Sequence, residues 1–183
     1  MSAQASAAPP ATAKTVAEAQ PAQKILTVAD VLGSNSEWKI QGPWATRLSG
    51  SGSGLSVRVL RLAAIGHAQV NGALQQASLF VTCQGNKTEL YVNFGLPLDV
   101  DSNKVDMEYQ IDDGAVAKET WNASVDQKGA FAPKPIVLLR AMLNANKIIF
   151  RTGYQNREVM GTIFFLDDLA EALKPVQSAC NWK

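Results

Sequence analysis

Alternation of apolar and polar residues with a period of two is the feature that most constrains the fold of this chain. In the segment 105–112 every second residue is apolar, and the residues between are acidic or amide side chains. Successive side chains on a β-strand point to opposite faces, so this segment predicts a strand with one buried face and one wet face. The apolar positions of this and similar segments are Leu55, Val57, Val59, Leu90, Val92, Phe94, Val105, Met107, Tyr109, Ile111, Val159, Gly161, Ile163 and Phe165.

Turn residues and helical periodicity complete the fold prediction. Turn signals at 85–86 and 113–114 indicate antiparallel strands. Segments 136–143 and 167–178 have apolar residues at helical spacing, and a shorter pattern over 25–32 predicts a further helix that ends at Gly33. We predict a mainly β (α+β) fold, an antiparallel β-sandwich or curled sheet with two short helices, one near the middle and one C-terminal.

The N-terminal residues differ in composition from the rest of the chain. Residues 1–23 consist mostly of Ala, Gln, Ser, Thr and Pro, which bury too little apolar surface to offset the entropy of ordering. We therefore expect a disordered Ala/Pro-rich tether at 1–23 and a single β-rich domain at 24–183. The first ten residues lack a basic and an apolar region, so we expect a signal peptide to be absent or removed.

Two cysteines, Cys83 and Cys180, are separated by about 100 residues. This spacing fits neither a paired-cysteine zinc site nor a C-x-x-C redox pair. It favours one long-range disulfide that closes the fold. In the chain-entropy treatment such a bond raises the free energy of unfolding by about 4–5 kcal/mol, because it restricts the unfolded chain. The alternative is two unrelated buried thiols in a reducing compartment. The disulfide predicts an oxidising compartment.

Charge and hydropathy argue against two classes of partner. The chain has 17 basic and 16 acidic side chains and no basic run, so it lacks the electrostatic footprint that nucleic acid requires. No segment approaches the ~20 consecutive apolar residues that cross a bilayer. We therefore predict no nucleic-acid partner and no membrane-spanning segment.

Residues that could support catalysis are few. His67 is the only histidine, so an imidazole metal site is excluded and any nucleophile–histidine arrangement must use it. Asp112 and Asp113 could act in a hydrolase only with a distant acid such as Glu119 or Asp126. We predict a protein that is not an enzyme and that holds no metal and no cofactor.

Aromatic residues are the better candidates for binding. The four tryptophans could stack on sugar rings or peptides, although aromatic residues in β domains more often pack in the core. Trp44 follows Gly42-Pro43, so we expect it to be the most exposed. The candidate binding residues are Trp44, Asp112, Asp113, Trp121 and Tyr154.

Several short runs occur in a characteristic order between residues 78 and 182. They are Leu79-Phe80-Val81-Thr82-Cys83, Tyr109-Gln110-Ile111-Asp112-Asp113-Gly114, Trp121-Asn122-Ala123-Ser124-Val125-Asp126 and Ala179-Cys180-Asn181-Trp182. In this order they resemble the VasI/TagO group of type VI secretion accessory proteins. The group usually has arginine where this chain has Thr82 and Gln110, so a contact made by those arginines would be missing here.

The resemblance implies a location and a context. Such proteins are exported to the Gram-negative envelope, which implies a periplasmic home and agrees with the cysteine argument. The leading hypothesis is a non-enzymatic accessory or adaptor that binds an envelope protein, such as a component of the secretion system. The alternative is a glycan- or peptidoglycan-binding module or an inhibitor of a wall-degrading enzyme, for which Trp44 and Trp121 would make the contact.

Overall fold

The computed structural model describes residues 27–32, 37–50, 55–62, 68–70, 73–154 and 158–182, which form twelve strands and three helices. The predicted tether at 1–23, Gly33 and His67 lie outside the described residues, and the division into a tether and one domain stays a prediction. The elements are α1 (Val28–Leu32), β1 (Lys39–Gln41), β2 (Trp44–Ser49), β3 (Ser56–Leu62), β4 (Ala68–Val70), β5 (Ala73–Gln75), β6 (Ser78–Gln84), β7 (Lys87–Asn93), β8 (Lys104–Ile111), β9 (Ala117–Ala123), β10 (Gly129–Phe131), α2 (Pro135–Met142), β11 (Lys147–Tyr154), β12 (Glu158–Phe165) and α3 (Leu169–Ala179).

Ten of these strands form one antiparallel sheet in the order β1-β2-β3-β6-β7-β10-β9-β8-β11-β12, and β4 pairs with β5 as a separate hairpin. The predicted mainly β fold is confirmed, with one sheet in place of the two sheets of a sandwich. Gly85 and Asn86 join β6 to β7 with φ of 57° and 59°, as a type I′ hairpin turn requires. Helices α2 and α3 occupy the two predicted places.

The sheet curls until its ends meet. The indole Nε1 of Trp44 in β2 donates a hydrogen bond of 2.6 Å to the backbone oxygen of Asp167, which follows β12. Strands in a flat sheet lie about 4.8 Å apart, so β2 and β12 would be roughly 40 Å apart in this order. The hydrogen bond therefore requires strong curvature, and α3 packs against β2, β3 and β6 on the enclosed side.

The core lies on the inner face of the curled sheet. The predicted alternation supplies its residues in β3, β7 and β8, where Val57, Val59, Leu90, Val92 and Met107 are all buried. Helices α2 and α3 complete it with Leu138, Leu139, Met142, Leu169, Ala172, Leu173 and Val176. The core therefore draws on strands from both halves of the sheet and on both long helices.

The predicted buried face of β12 is wrong. Val159 and Phe165 are exposed, whereas Met160, Thr162 and Phe164 point into the core. Both faces of this strand carry large apolar residues, so the pattern alone does not distinguish them. Pairing with β11 decides the face, because Thr162 lies directly opposite the buried Phe150 and directly paired residues share one face of a sheet.

A disulfide joins Cys83 in β6 to Cys180, the residue after α3, with Cα atoms 5.8 Å apart. The predicted bond is confirmed, and the alternative of two unrelated thiols is excluded. A second link is the hydrogen bond of 2.8 Å that the Trp182 indole Nε1 donates to the hydroxyl oxygen of Thr88 in β7. The C-terminal helix is therefore fastened to the middle of the sheet by one covalent bond and one polar contact.

Helix α1 covers part of the opposite, outer face of the sheet. Its first turn is held by a reciprocal cap, in which Asp30 N donates to Thr27 Oγ1 and Thr27 N donates to Asp30 Oδ2. Val28 packs on Ala45 and Leu60, which alternate with the inner residues of β2 and β3, and partly buried Phe80 borders this small cluster. The rest of the outer face in this half of the sheet carries the candidate site.

Candidate binding groove

The structure buries the two tryptophans that were predicted to bind. Trp44 is 1% exposed and Trp121 is 0% exposed, so the expected exposure of Trp44 is wrong. Trp44 does follow a turn, but as the first residue of β2 its side chain points inward to Asp167. Trp121 packs edge-on against Phe150, with ring centroids 5.6 Å apart. Neither ring face is available to a ligand in this structure.

The predicted acidic residues have structural contacts. Asp112 Oδ1 accepts hydrogen bonds from the backbone N–H groups of Asn146 (2.9 Å) and Lys147 (3.0 Å), so it ties the β8–β9 turn to the start of β11. Asp113 is exposed and lies 3.2 Å from Lys147 Nζ. Tyr154 is the last residue of β11, and its side chain lies outside the described part of the structure.

A groove of about 400 Å³ lies on the outer face of the sheet, and its lining includes none of the predicted binding residues. Its floor is a row of directly paired aromatic residues on three strands, in which Phe80 faces Tyr91 and Tyr91 faces Phe131. We call the surface formed by Phe80, Tyr91 and Phe131 the aromatic groove. Its other lining residues are Ser56, Arg58, Thr82, Gln84, Glu89 and Asn93.

The three rings of the aromatic groove stack on one another. Ring centroids are 6.0 Å apart for Phe80 and Tyr91 and 4.6 Å apart for Tyr91 and Phe131, with interplanar angles near 30°. A separation of 4.6 Å fits rings that face each other and is too short for rings lying side by side. Tyr91 and Phe131 therefore turn a ring face toward each other. All three side chains are partly buried, so each is partly accessible.

A charged row runs beside the aromatic row. Arg47 faces Arg58, Arg58 faces Thr82, and Thr82 faces Glu89 on four consecutive strands of the sheet. Arg47 forms a 2.8 Å ion pair with Glu37, and Glu89 forms a 2.6 Å ion pair with Lys87. Arg58 is exposed and has no ion pair with any described residue. The groove thus has a basic end on β3.

Thr82 and Gln110, the two departures from the family pattern, lie in different places. Thr82 is part of the groove lining on β6. The Gln110 side-chain amide Nε2 at the end of β8 donates a 2.9 Å hydrogen bond to the Gly114 backbone oxygen and so supports the β8–β9 turn. Only Thr82 can affect what the groove binds by direct contact.

A polar loop holds Tyr91 in place. The Ser124 hydroxyl donates a 2.6 Å hydrogen bond to Asp126 Oδ1 and accepts one of 3.0 Å from the Gly129 N–H group. These contacts fix Gly129 against the phenol ring. Burial raises the pKa of Tyr91, the Ser124 hydrogen bond opposes that rise, and the Asp126 carboxylate adds to it. The hydrogen bonds from Ser124 and from the Lys128 backbone lower the pKa of Asp126.

Replacing Gly129 with alanine should displace the Tyr91 ring. A Cβ at this position would lie 2.6 Å from the ring and closer still to the Val92 backbone oxygen, so we expect a loss of about 1–3 kcal/mol in the free energy of unfolding. Gly161→Ala is the matched control, because its Cβ would meet Arg151 at 3.6 Å, an ordinary contact. Urea unfolding of both variants measures the difference, and equal stabilities would contradict the packing described here.

A signal for the groove is present in the sequence. Phe80 stands between inward-facing Leu79 and Val81, and Tyr91 stands between inward-facing Leu90 and Val92. Alternation therefore assigns both aromatic residues to the wet face, where a large ring is unusual. What the sequence does not supply is the register that brings them together with Phe131.

Another cavity, of about 770 Å³, lies at the turn before β8 and is rich in acids. Asp99, Asp101 and Asp106 line it together with Lys104, whose Nζ donates a 2.6 Å hydrogen bond to Asn122 Oδ1. Within the described ranges, no group of three or more His, Cys, Asp or Glu side chains is placed to hold a metal ion.

No helix among the residues that the structure describes is long and apolar enough to cross a membrane.

The fold and the groove define a class of protein: a disulfide-closed, curled antiparallel sheet with an aromatic surface on its outer face. Comparison with known families then identifies the family to which the chain belongs. The family described as type VI secretion system VasI, EvfG, VC_A0118 matches residues 5–182, and the chain belongs to this family. No curated protein and no solved structure matches it. Family membership associates the chain with the type VI secretion system and, with the disulfide, is consistent with an extracytoplasmic location.

Proposed function

We propose that this protein is a non-enzymatic periplasmic accessory component of a type VI secretion system that binds another envelope protein through the aromatic groove. Membership of the VasI family supports the system, and the buried disulfide supports an oxidising compartment. The observation that carries the binding role is the row of Phe80, Tyr91 and Phe131 on an outer face that alternation assigns to water.

The composition of the groove is typical of a protein-binding surface. Aromatic residues and arginine are enriched in the centres of protein interfaces, where they contribute most of the binding free energy. The groove combines three aromatic rings with Arg58 and a polar border. The rings have stacked partners and a fixed register, so they need little reordering when a partner binds.

The ring geometry favours a protein partner over a glycan. Sugars pack on the open face of an aromatic ring, whereas the Tyr91 ring has a neighbouring ring on either strand, with centroids 6.0 Å away at Phe80 and 4.6 Å away at Phe131. Trp44 and Trp121, on which the glycan alternative depended, are buried. Apolar side chains of a protein segment can pack against ring edges without opening the stack.

In-cell photo-crosslinking tests this proposal. We expect a photoreactive residue at Phe131 to form a specific adduct with an envelope protein in cells that contain the secretion system, and to lose it when the genes of that system are deleted. The matched control is the same residue at Val159, an exposed position on β12 at the far end of the sheet order. Equal adducts at both positions, or no adduct at Phe131, would refute a groove-based partner. Fractionation of the same cells should place the protein with periplasmic markers.

A further inference from the structure

The residues that line the groove also indicate what kind of protein segment binds there, if the groove is a protein-binding surface as proposed above. We infer that the groove recognises an extended acidic segment of a partner protein, in which a carboxylate binds at Arg58 and an apolar side chain two residues away packs at Phe80. Three features of the outer face support it: an arginine pair in which Arg58 has no ion pair with any described residue, a small polar cavity beside the pair, and the spacing to the aromatic row.

The arginine pair is the first feature. Arg47 and Arg58 are direct partners across the antiparallel strands β2 and β3. Like charges in that position destabilise a sheet, so the fold itself gains nothing from the pair. Glu37 neutralises Arg47, but Arg58 is exposed and has no ion pair with any described residue. An anionic ligand would therefore supply the counter-charge that Arg58 lacks.

The cavity beside the pair is the second feature. It measures about 120 Å³ and is lined by Arg47, Ser49, Ser56 and Arg58. Two guanidinium groups, which only donate hydrogen bonds, and two hydroxyls, which can donate them, suit an oxyanion, and guanidinium binds carboxylate with paired hydrogen bonds. Ser56 and Arg58 also line the aromatic groove, so the cavity and the groove are continuous.

The spacing to the aromatic row is the third feature. Arg58 faces Thr82, and Phe80 lies two residues before Thr82 on the same strand, so Arg58 and Phe80 are diagonal neighbours. Diagonal neighbours on one face are about 7–8 Å apart. Residues two apart in an extended segment lie on one side and are about 7 Å apart, which matches that distance. Thr82 is neutral and Glu89 is paired with Lys87, so the positive charge is confined to the Arg58 end.

Charge reversal at Arg58 tests the inference. We expect Arg58→Glu to weaken capture at Phe131 by at least about tenfold, since it replaces a charge-assisted contact with repulsion. The same substitution should leave the free energy of unfolding unchanged or higher, because it places a negative charge directly opposite the positive charge of Arg47. Lys134→Glu, at the start of α2, is the control with the same change in net charge and should capture normally.

Titration with peptides of defined sequence gives an independent measurement. The probes are N-acetylated, C-amidated hexapeptides with Glu two residues from Leu, and the same peptides with Gln in place of Glu. Backbone amide NMR shifts should report saturable binding at residues 58, 80 and 82 with the Glu peptides, at least about tenfold tighter than with the Gln peptides. Equal affinities, or no shifts in the groove, would overturn the inference, as would groove shifts caused by muropeptides alone.

The two proposals fail in different ways. If Arg58→Glu still captures its partner normally at Phe131, the acidic-segment inference is wrong and the groove remains a protein-binding surface. If the unaltered protein gives no adduct at Phe131, the proposed function itself is wrong.

Discussion

Replacing both Cys83 and Cys180 with alanine should lower the free energy of unfolding by about 4–5 kcal/mol. The disulfide spans 97 residues of sequence, so it removes much of the freedom of the unfolded chain, and the chain-entropy treatment gives this magnitude for a loop of that length. Native stability of a domain is only about 5–15 kcal/mol, so the variant should be marginally folded. Equilibrium unfolding in urea measures the change.

Controls separate the covalent bond from packing at the C-terminus. Trp182→Phe removes the hydrogen bond to Thr88 but keeps the disulfide, so we expect a loss of only about 1 kcal/mol. Reduction of the unaltered protein should reproduce most of the effect of the double substitution. Alkylation of the unreduced, unfolded protein must label no thiol; labelling at two thiols would contradict the disulfide.

The strands were predictable where one face of the segment is clearly apolar. Val105 and Met107 alternate with Asp106 and Glu108, and the structure buries the apolar pair. In β12 the same reasoning fails, because both faces carry large apolar residues and the pairing with β11 decides which one is buried. The disulfide was predictable because a chain with two distant cysteines offers only one internal pairing.

The candidate site was less predictable because it depends on contacts distant in sequence. Tyr91 and Phe131 are 40 positions apart (131 − 91), yet they face each other because β10 pairs with β7. Arg58 joins them only through the register of β3 with β6. An aromatic residue on a wet face is visible in the sequence, but the row that it forms depends on the completed sheet.

The same limitation explains the misjudged exposure of Trp44. Its neighbours Gly42 and Pro43 are turn residues, which suggested a surface position. Its hydrogen-bond acceptor, Asp167, is 123 residues away and comes close only when the sheet curls. The turn chemistry was correct, but the direction of the first side chain after the turn depends on the far end of the sheet.

Trp44→Ala should therefore be among the most destabilising single substitutions in this chain, with an expected loss of about 3–5 kcal/mol. It removes a buried ring, the hydrogen bond to the Asp167 oxygen, and the ring surface above which the Arg61 guanidinium lies, 5.6 Å from the centroid. Burial lowers the pKa of Arg61, and the Asp167 carboxylate opposes that change. The substitution would also remove the ring that lies beneath the Arg61 guanidinium.

Trp44→Phe separates the hydrogen bond from the packing. It keeps most of the ring volume and loses the indole N–H, so we expect a smaller loss of about 1–2 kcal/mol. Hydrogen exchange should quicken in β2 and α3 in both variants, because these elements meet where the sheet closes. A loss of less than about 1 kcal/mol in the free energy of unfolding for Trp44→Ala, with unchanged hydrogen exchange, would show that the Trp44 contact does not hold the ends of the sheet together. The packing of α3 on β3 and β6 would then be enough to keep the sheet closed.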